Sequence, residues 1–231
     1  MNYAVILAGG RGLRLGGDIP KQLLPLGGKP VITWSAAAFH SVNLIDRLII
    51  VAEKNSLEVI RGIFSEAEFP KIAAFVEGGA ERSDSSYNAL TCGSFNDDDI
   101  FLFHDAARPF ITEAVIRDTV AETMKSGAAG VYIPAVDTVT VAENDTVSYI
   151  PERRIMYYAQ TPQGFRYDII RRAHEIYRQG GLDTKVTDDV SLVKASGHEV
   201  KIVKGSESNF KITTELDYRI AEFISRDVLF K

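Results

Sequence analysis

Six short apolar runs, separated by segments that read as helices, constrain the fold of this chain more than any other feature. The runs are 3–7, 47–52, 72–76, 100–104, 130–134 and 200–204. Tyr3-Ala-Val-Ile-Leu7 and Leu48-Ile-Ile-Val51 are continuous in apolar residues rather than alternating. That is the mark of strands buried on both faces. Helices are expected over 31–41, 54–66, 83–93, 112–125, 166–179, 187–196 and 214–226. Alternation of this kind predicts an α/β fold, a mostly parallel three-layer sheet with helices on both faces. At 231 residues the chain is long enough for one large domain, and no linker, repeat or low-complexity stretch divides 1–231. In such sheets ligands sit beyond the carboxyl ends of the strands.

The first such end carries Ala8-Gly-Gly-Arg-Gly-Leu-Arg14-Leu-Gly-Gly17, then Pro20-Lys21-Gln22. Glycines let backbone N–H groups approach an anion closely, and Arg14 and Lys21 neutralise charge, so the loop points to a polyphosphate. A P-loop is excluded, because no Gly-x-x-x-x-Gly-Lys-Ser/Thr string occurs. A dinucleotide fingerprint is excluded too: Gly10, Gly12 and Gly16 miss its spacing by one, and Pro20 sits where its helix should already run.

A second strand end reads Phe101-Leu-Phe-His-Asp105-Ala-Ala-Arg108-Pro109. A carboxylate here faces the ligand crevice and suits a hard cation such as Mg²⁺ beside a polyphosphate. Arg108 could contact a phosphate or orient the loop, and His104 reads as structural. A third, Glu77-Gly78-Gly79-Ala80-Glu81-Arg82-Ser83-Asp84-Ser85, forms a crevice edge able to hydrogen-bond a nucleobase, with Ser83 a candidate helix cap. Tyr158–Phe165 and Val186-Thr187-Asp188-Asp189 read as helix entries, with Thr187 as the N-cap. Residues 135–160 break the alternation. Asp137–Val141 and Thr146–Ile150 flank the turn signal Glu143-Asn144-Asp145, which predicts an inserted hairpin. An isolated hairpin is barely stable in water, so a second subunit is the natural support.

The net charge of −5 disfavours a nucleic-acid-coating role and confines any anion site to a local basic pocket. Cys92 is the only cysteine, which excludes an intrachain disulfide or a multi-thiolate metal site and suits a reducing cytoplasm. The opening residues read as a core strand rather than a cleavable signal, and no apolar run reaches the length of a membrane span.

Taken together, Ala8-Gly-Gly-x-Gly-x-Arg14 with Pro20-Lys21-Gln22, His104-Asp-Ala-Ala-Arg-Pro109, Asp137-Thr138, Gln160-Thr-Pro-Gln163, Thr187-Asp188-Asp189 and Asn209-Phe-Lys-Ile-Thr213 resemble the 2-C-methyl-D-erythritol 4-phosphate cytidylyltransferases. They also resemble the sister ribitol-5-phosphate cytidylyltransferases. The resemblance spans essentially the whole chain. It implies a Rossmann-like nucleotidyltransferase sheet with a β-arm, 135–155, that embraces a partner subunit in a homodimer. It implies attack of an acceptor phosphate on the α-phosphorus of CTP, assisted by Mg²⁺ or another divalent cation held by Asp105. Arg14, Lys21 and Lys211 are then the catalytic cations. Ala8, Gly9, Gly10, Gly12, Gly78, Gly79, Ser85, Asp105 and Arg108 are the expected CTP contacts, and Thr138, Arg153 and Thr187 the expected acceptor contacts.

This chain departs from the pattern at several positions. Ala80 stands where the family often has an acid, and Thr140 where a lysine often lies. Ala8-Gly9-Gly10 and Met156-Tyr157 lean toward ribitol phosphate; His-Asp-Ala-Ala-Arg-Pro, Ser85 and Thr-Asp-Asp-Val-Ser lean toward methylerythritol phosphate. The balance favours methylerythritol phosphate. A sugar-1-phosphate nucleotidyltransferase shares a glycine-rich first loop with a lysine but not the other strings. A non-catalytic nucleotide sensor need not keep both the cation cluster and the carboxylate.

Overall fold

In the computed structural model, which describes residues 1–9, 19–182 and 186–229, successive side chains of the first strand, β1 (Asn2–Ala8), point to opposite faces of one sheet. Ala4, Ile6 and Ala8 enter one apolar core; Tyr3, Val5 and Leu7 enter another. A strand that buries both faces must be apolar throughout, which is why the run is continuous. The first core is covered by α1 (Val31–Ser41), α2 (Lys54–Ile63) and α4 (Glu113–Ser126). The second is covered by α3 (Arg82–Thr91), α5 (Tyr167–Arg178) and α6 (Asp189–Ala195). The three-layer α/β expectation holds.

β2 (Pro25–Leu26) and β3 (Lys29–Pro30) form a small hairpin on which α7 (Glu215–Leu229) packs through Leu26, Val31, Phe110, Ile212 and Ala221. Its turn, Gly27-Gly28, has φ of 56° and 81° at the two positions. Glycine takes two such angles in succession without the steric cost most side chains incur. The pair was a readable hairpin signal that the strand pattern alone passes over.

The remaining strands are β4 (Arg47–Ala52), β5 (Ile72–Glu77), β6 (Ile100–Asp105), β7 (Ala128–Pro134), β8 (Val141–Glu143), β9 (Thr146–Tyr149), β10 (Tyr157–Arg166) and β11 (Lys201–Lys204). The main sheet runs β11-β7-β10-β6-β1-β4-β5. β1 pairs in parallel with β4 and β6, Leu7 lying beside Val51 and Asp105. The carboxyl ends of β1 and β6 are thus neighbours, which brings together the points where the first two motif loops begin.

β10 corrects the sequence reading. Tyr158–Phe165 is not a helix entry but nearly the whole of a central strand, antiparallel to both β6 and β7. Its register shifts between Ala159 and Gln163. There the polar side chains of Gln160, Thr161 and Gln163 are buried, and each is hydrogen-bonded. A pattern that equates polar with exposed misses such a strand. Two cap expectations also change. Asp188, not Thr187, caps α6, its carboxylate accepting the Ser191 N–H at 2.8 Å. Glu81, not Ser83, precedes α3, with Asp84 accepting the Glu81 N–H at 3.2 Å. In both, carboxylate side chains accept amides of the first turn, and at α6 the Ser191 hydroxyl completes the box by accepting the Asp188 N–H at 3.2 Å.

The hairpin over 135–155 is present. β8 and β9 pair antiparallel around Asn144 and Asp145, both at positive φ. The first β-like piece begins at Val141, so Asp137–Thr140 is not strand. The chain leaves β7 and returns to β10 through a bond from the Ala135 N–H to the Met156 carbonyl at 2.9 Å. No helix among the described residues is long and apolar enough to cross a membrane.

Candidate active site

A cavity of about 210 Å³ opens where the ends of β1 and β6 meet the start of α3. Leu7, Ala8, Gly9, Lys21, Gln22, Gly79, Ala80, Glu81, Arg82, Ser85, Asp105, Ala106, Ala107 and Lys211 line it. Of the expected residues, the fold therefore gathers Ala8, Gly9, Lys21, Gly79, Ser85, Asp105 and Lys211. Gly10, Gly12 and Arg14 lie outside the described residues. Gly78, Arg108, Thr138, Arg153 and Thr187 are not on the wall.

Asp105 is the electrostatic centre. Lys211 Nζ lies 2.8 Å from one carboxylate oxygen, Arg108 Nε 3.6 Å from the same oxygen, and Arg82 Nε 3.7 Å from the other. Burial pushes the carboxyl pKa up, but the charges of Lys211, Arg82 and Arg108 outweigh it and hold the group well below the usual carboxylate range. Asp105 is therefore ionised throughout the ordinary pH range.

The strand end is stitched from behind. His104 is fully buried, with Nε2 3.1 Å from the Arg108 carbonyl and Nδ1 3.0 Å from Thr161 Oγ1. A carbonyl only accepts, so Nε2 carries the proton and Nδ1 accepts from the Thr161 hydroxyl. The same hydroxyl oxygen accepts the Asp105 N–H at 3.1 Å. Burial lowers the His104 pKa to about 4.

The unfolded histidine titrates near its ordinary value, so between those two pH values the unfolded chain binds a proton that the native chain does not. Native stability is therefore full above about pH 6.5 and falls by about 3 kcal/mol as the pH drops to about 4. Urea unfolding at pH 7.5, 6 and 5 should show this loss, and His104→Asn should flatten it. An equal slope in the variant would contradict the assignment.

Arg108 is held rather than free to swing. Nη1 donates to the Asn209 carbonyl at 2.8 Å and Nη2 to the Ala159 carbonyl at 3.3 Å. These bonds tie its guanidinium to the 209 segment and to β10. Asn209 donates to the Thr161 carbonyl at 2.7 Å, and the Ile212 N–H donates to the Ala107 carbonyl at 2.9 Å. These bonds seat the 209–212 segment, and Lys211 with it, against the end of β6.

On the other wall, Gln22 Nε2 donates to the Ala8 carbonyl at 2.7 Å and ties the Lys21 segment to β1. The Gly79 N–H donates to Ser85 Oγ at 3.1 Å, and the Gly78 N–H to the Ala52 carbonyl at 2.8 Å. The crevice edge has thus committed both amide protons. A Cβ at Gly79 would stand 2.1 Å from that of Asp84, so only glycine lets the loop lie this close to α3.

Thr138, Arg153 and Thr187 are exposed. Arg153 Nη1 donates to the Val136 carbonyl at 3.3 Å, at the base of the hairpin. The main residue that the sequence reading left without a role is Arg82, together with its buried partner Asp189, 2.5 Å away. Both stood inside quoted strings, but nothing in the sequence joins positions 107 residues apart.

Among the described residues no group of three or more His, Cys, Asp or Glu gathers to hold a metal ion. A single buried carboxylate at the crevice is the donor pattern of an ion that takes its remaining ligands from substrate phosphates and water.

The sequence profile of the 2-C-methyl-D-erythritol 4-phosphate cytidylyltransferases matches residues 2–227. A protein of that name from Alkaliphilus oremlandii is 38% identical over 222 residues, 95% of this chain and 93% of its own. The bifunctional ribulose 5-phosphate reductase/CDP-ribitol pyrophosphorylase Bcs1 of Haemophilus influenzae is also 38% identical, over 224 residues. That match covers 96% of this chain, which spans 47% of the Haemophilus protein. The crystal structure of 4-diphosphocytidyl-2C-methyl-D-erythritol synthase from Anaerococcus prevotii superposes with a TM-score of 0.83 at 30% identity, covering 97% of this chain and 96% of that one. On its sequence, its fold and the residues assembled around Asp105, the chain belongs to the 2-C-methyl-D-erythritol 4-phosphate cytidylyltransferase family.

Proposed function

We propose that this chain transfers CMP from CTP to the phosphate of 2-C-methyl-D-erythritol 4-phosphate, releasing pyrophosphate. The observation that carries the reading is the cavity itself. The buried, ionised carboxylate of Asp105 faces a wall that also carries Lys21, Arg82 and Lys211, with Glu81 at its edge. An oxygen of the acceptor phosphate bonds to the α-phosphorus, and the bond from that phosphorus to the bridging β-phosphate oxygen breaks. Positioning and charge neutralisation supply most of the acceleration in such displacements. Lys21 and Lys211, both on that wall, would hold phosphate oxygens as charge develops. Asp105 would hold Mg²⁺, which supplies further neutralisation of the triphosphate when bound. With both amide protons of the Gly78-Gly79 edge engaged, the edge offers carbonyl acceptors, which suit the exocyclic amine of cytosine.

A second acceptor, ribitol 5-phosphate, is favoured by the Haemophilus relative together with Ala8-Gly9-Gly10 and Met156-Tyr157. Pure protein, CTP, Mg²⁺ and each polyol phosphate in turn separate the two, with pyrophosphate and the CDP-product as readouts. Turnover on ribitol 5-phosphate alone would overturn the first reading. No pyrophosphate with either acceptor would overturn both.

The protein acts as a homodimer held by the 135–155 arm in this reading. Val136, Val147, Tyr149, Ile150 and Ile155 are each at least 59% exposed on or beside the hairpin. Exposed apolar side chains clustered on one short segment of the chain suit an interaction surface. Thr138 and Arg153 of one subunit would then complete the acceptor site of the other, an arginine fork suiting a phosphate monoester. Asp105→Asn and Arg153→Ala, each inactive alone, should recover part of the activity when mixed and allowed to exchange subunits. No recovery despite demonstrated exchange would place both residues in one chain's site. A monomer by light scattering would overturn the arm's role.

A further inference from the structure

Asp189 is 1% exposed, and its carboxylate joins three helices. One oxygen accepts from Arg82 Nη1 at 2.5 Å and from the Ser86 hydroxyl at 3.0 Å, both on α3. The other lies 3.5 Å from His174 Nε2 on α5. Burying a carboxylate costs several kcal/mol unless it is well paired, and here the pairing is spent on a side chain at the cavity wall. Arg82 lines the cavity, its Nε stands 3.7 Å from Asp105, and its buried Nη2 has no hydrogen-bond partner among the described residues.

Arginine and carboxylate prefer a two-point contact at about 2.7–2.9 Å. Arg82 does not make one with Asp105, because its Nη1 is drawn away by Asp189. The guanidinium thus lends its charge to the cavity without occupying the Asp105 oxygen that faces it. Lys211, the residue that does touch Asp105, is a partly exposed side chain with three rotatable donors and can give way. A doubly bonded arginine would not yield so readily.

We propose that Asp189 is a positioning residue that tethers Arg82 beside Asp105 but not onto it, keeping the Asp105 carboxylate open to a divalent cation bound with CTP. The inference rests on the reading of Asp105 as a cation ligand. Without the tether, Arg82 closes on Asp105 and competes with the cation.

The test is binding of Mn²⁺ in the presence of CTP, followed by the electron resonance of free Mn²⁺, beside kcat and KM for CTP. Asp189→Asn is expected to weaken Mn²⁺ about tenfold and to lower kcat/KM about 10–100-fold. Arg82→Gln, which removes the competitor, should bind Mn²⁺ at least as tightly as wild type while still losing kcat. The double variant should bind Mn²⁺ like Arg82→Gln alone, because Asp189 acts only through Arg82. A purely structural role would give additive losses with no such suppression, and that outcome overturns the tether.

If Asp189→Asn does not fold, weakened Mn²⁺ binding by Arg82→Gln overturns the inference by itself, and unweakened binding supports it. Asp105→Asn reports separately on the underlying reading. If it binds Mn²⁺ with CTP as wild type does, the cation assignment fails. If it is weakened while Asp189→Asn is not, only the tether fails.

Discussion

Asp105→Asn is expected to lower kcat/KM by about 10³-fold or more while the fold survives. The reasoning starts from the carboxylate's neighbours. Three cations converge on it within 3.7 Å. An amide in its place cannot neutralise them, so the cavity keeps its positive charge but loses the buried carboxylate read as fixing a divalent ion against the triphosphate. Stability should change far less than activity. The backbone N–H of residue 105 still donates to Thr161, Arg82 keeps Asp189, Arg108 keeps two carbonyls, and Lys211 can turn to solvent. Mg²⁺-dependent pyrophosphate release, with circular dichroism and thermal unfolding alongside, decides the matter. A folded variant with near-wild-type rates would remove Asp105 from the mechanism.

Lys211→Ala carries the second large effect, an expected loss in kcat/KM of about 10²–10³-fold, the scale of one charge-stabilising donor aimed at a developing anion. The surrounding backbone argues that the loss is local. The Asn209 amide and the Ile212 N–H hold the segment to β10 and to Ala107 whether or not the lysine side chain is present. The loss should fall mainly on kcat if the ammonium meets phosphate oxygens in the transition state. Lys211→Arg should recover little, because a planar fork cannot replace a compact ammonium at this distance from Asp105. A defect confined to KM for the acceptor would place Lys211 in ground-state binding instead.

Much of the architecture was legible before any coordinates. Continuous apolar runs with helices between them leave few arrangements other than a parallel sheet covered on both faces. Glycines and cations at the end of the first run, and Asp105 at the end of another, then share one rim by the rule that such sheets bind at their strand ends. Parallel pairing of β1 with β6 puts Leu7 beside Asp105 and makes that sharing concrete. The hairpin near Asn144-Asp145 was legible for a local reason, since few residues accept a left-handed turn at two successive positions.

Local chemistry and period are therefore what the chain alone determined: which segments are strand or helix, where the backbone turns, and which strand ends carry charge. Tertiary structure alone decided what required groups distant in the chain to meet. β10 became a central antiparallel strand because Gln160, Thr161 and Gln163 found partners across the fold, so polar side chains could be buried at little cost. Arg108 became a loop anchor because the Asn209 and Ala159 carbonyls claimed its guanidinium. Arg82 entered the site because Asp189, on another helix, holds it there. Each of these outcomes depends on a hydrogen bond or ion pair whose strength is set by burial, and burial is a property of the folded chain rather than of any stretch of its sequence.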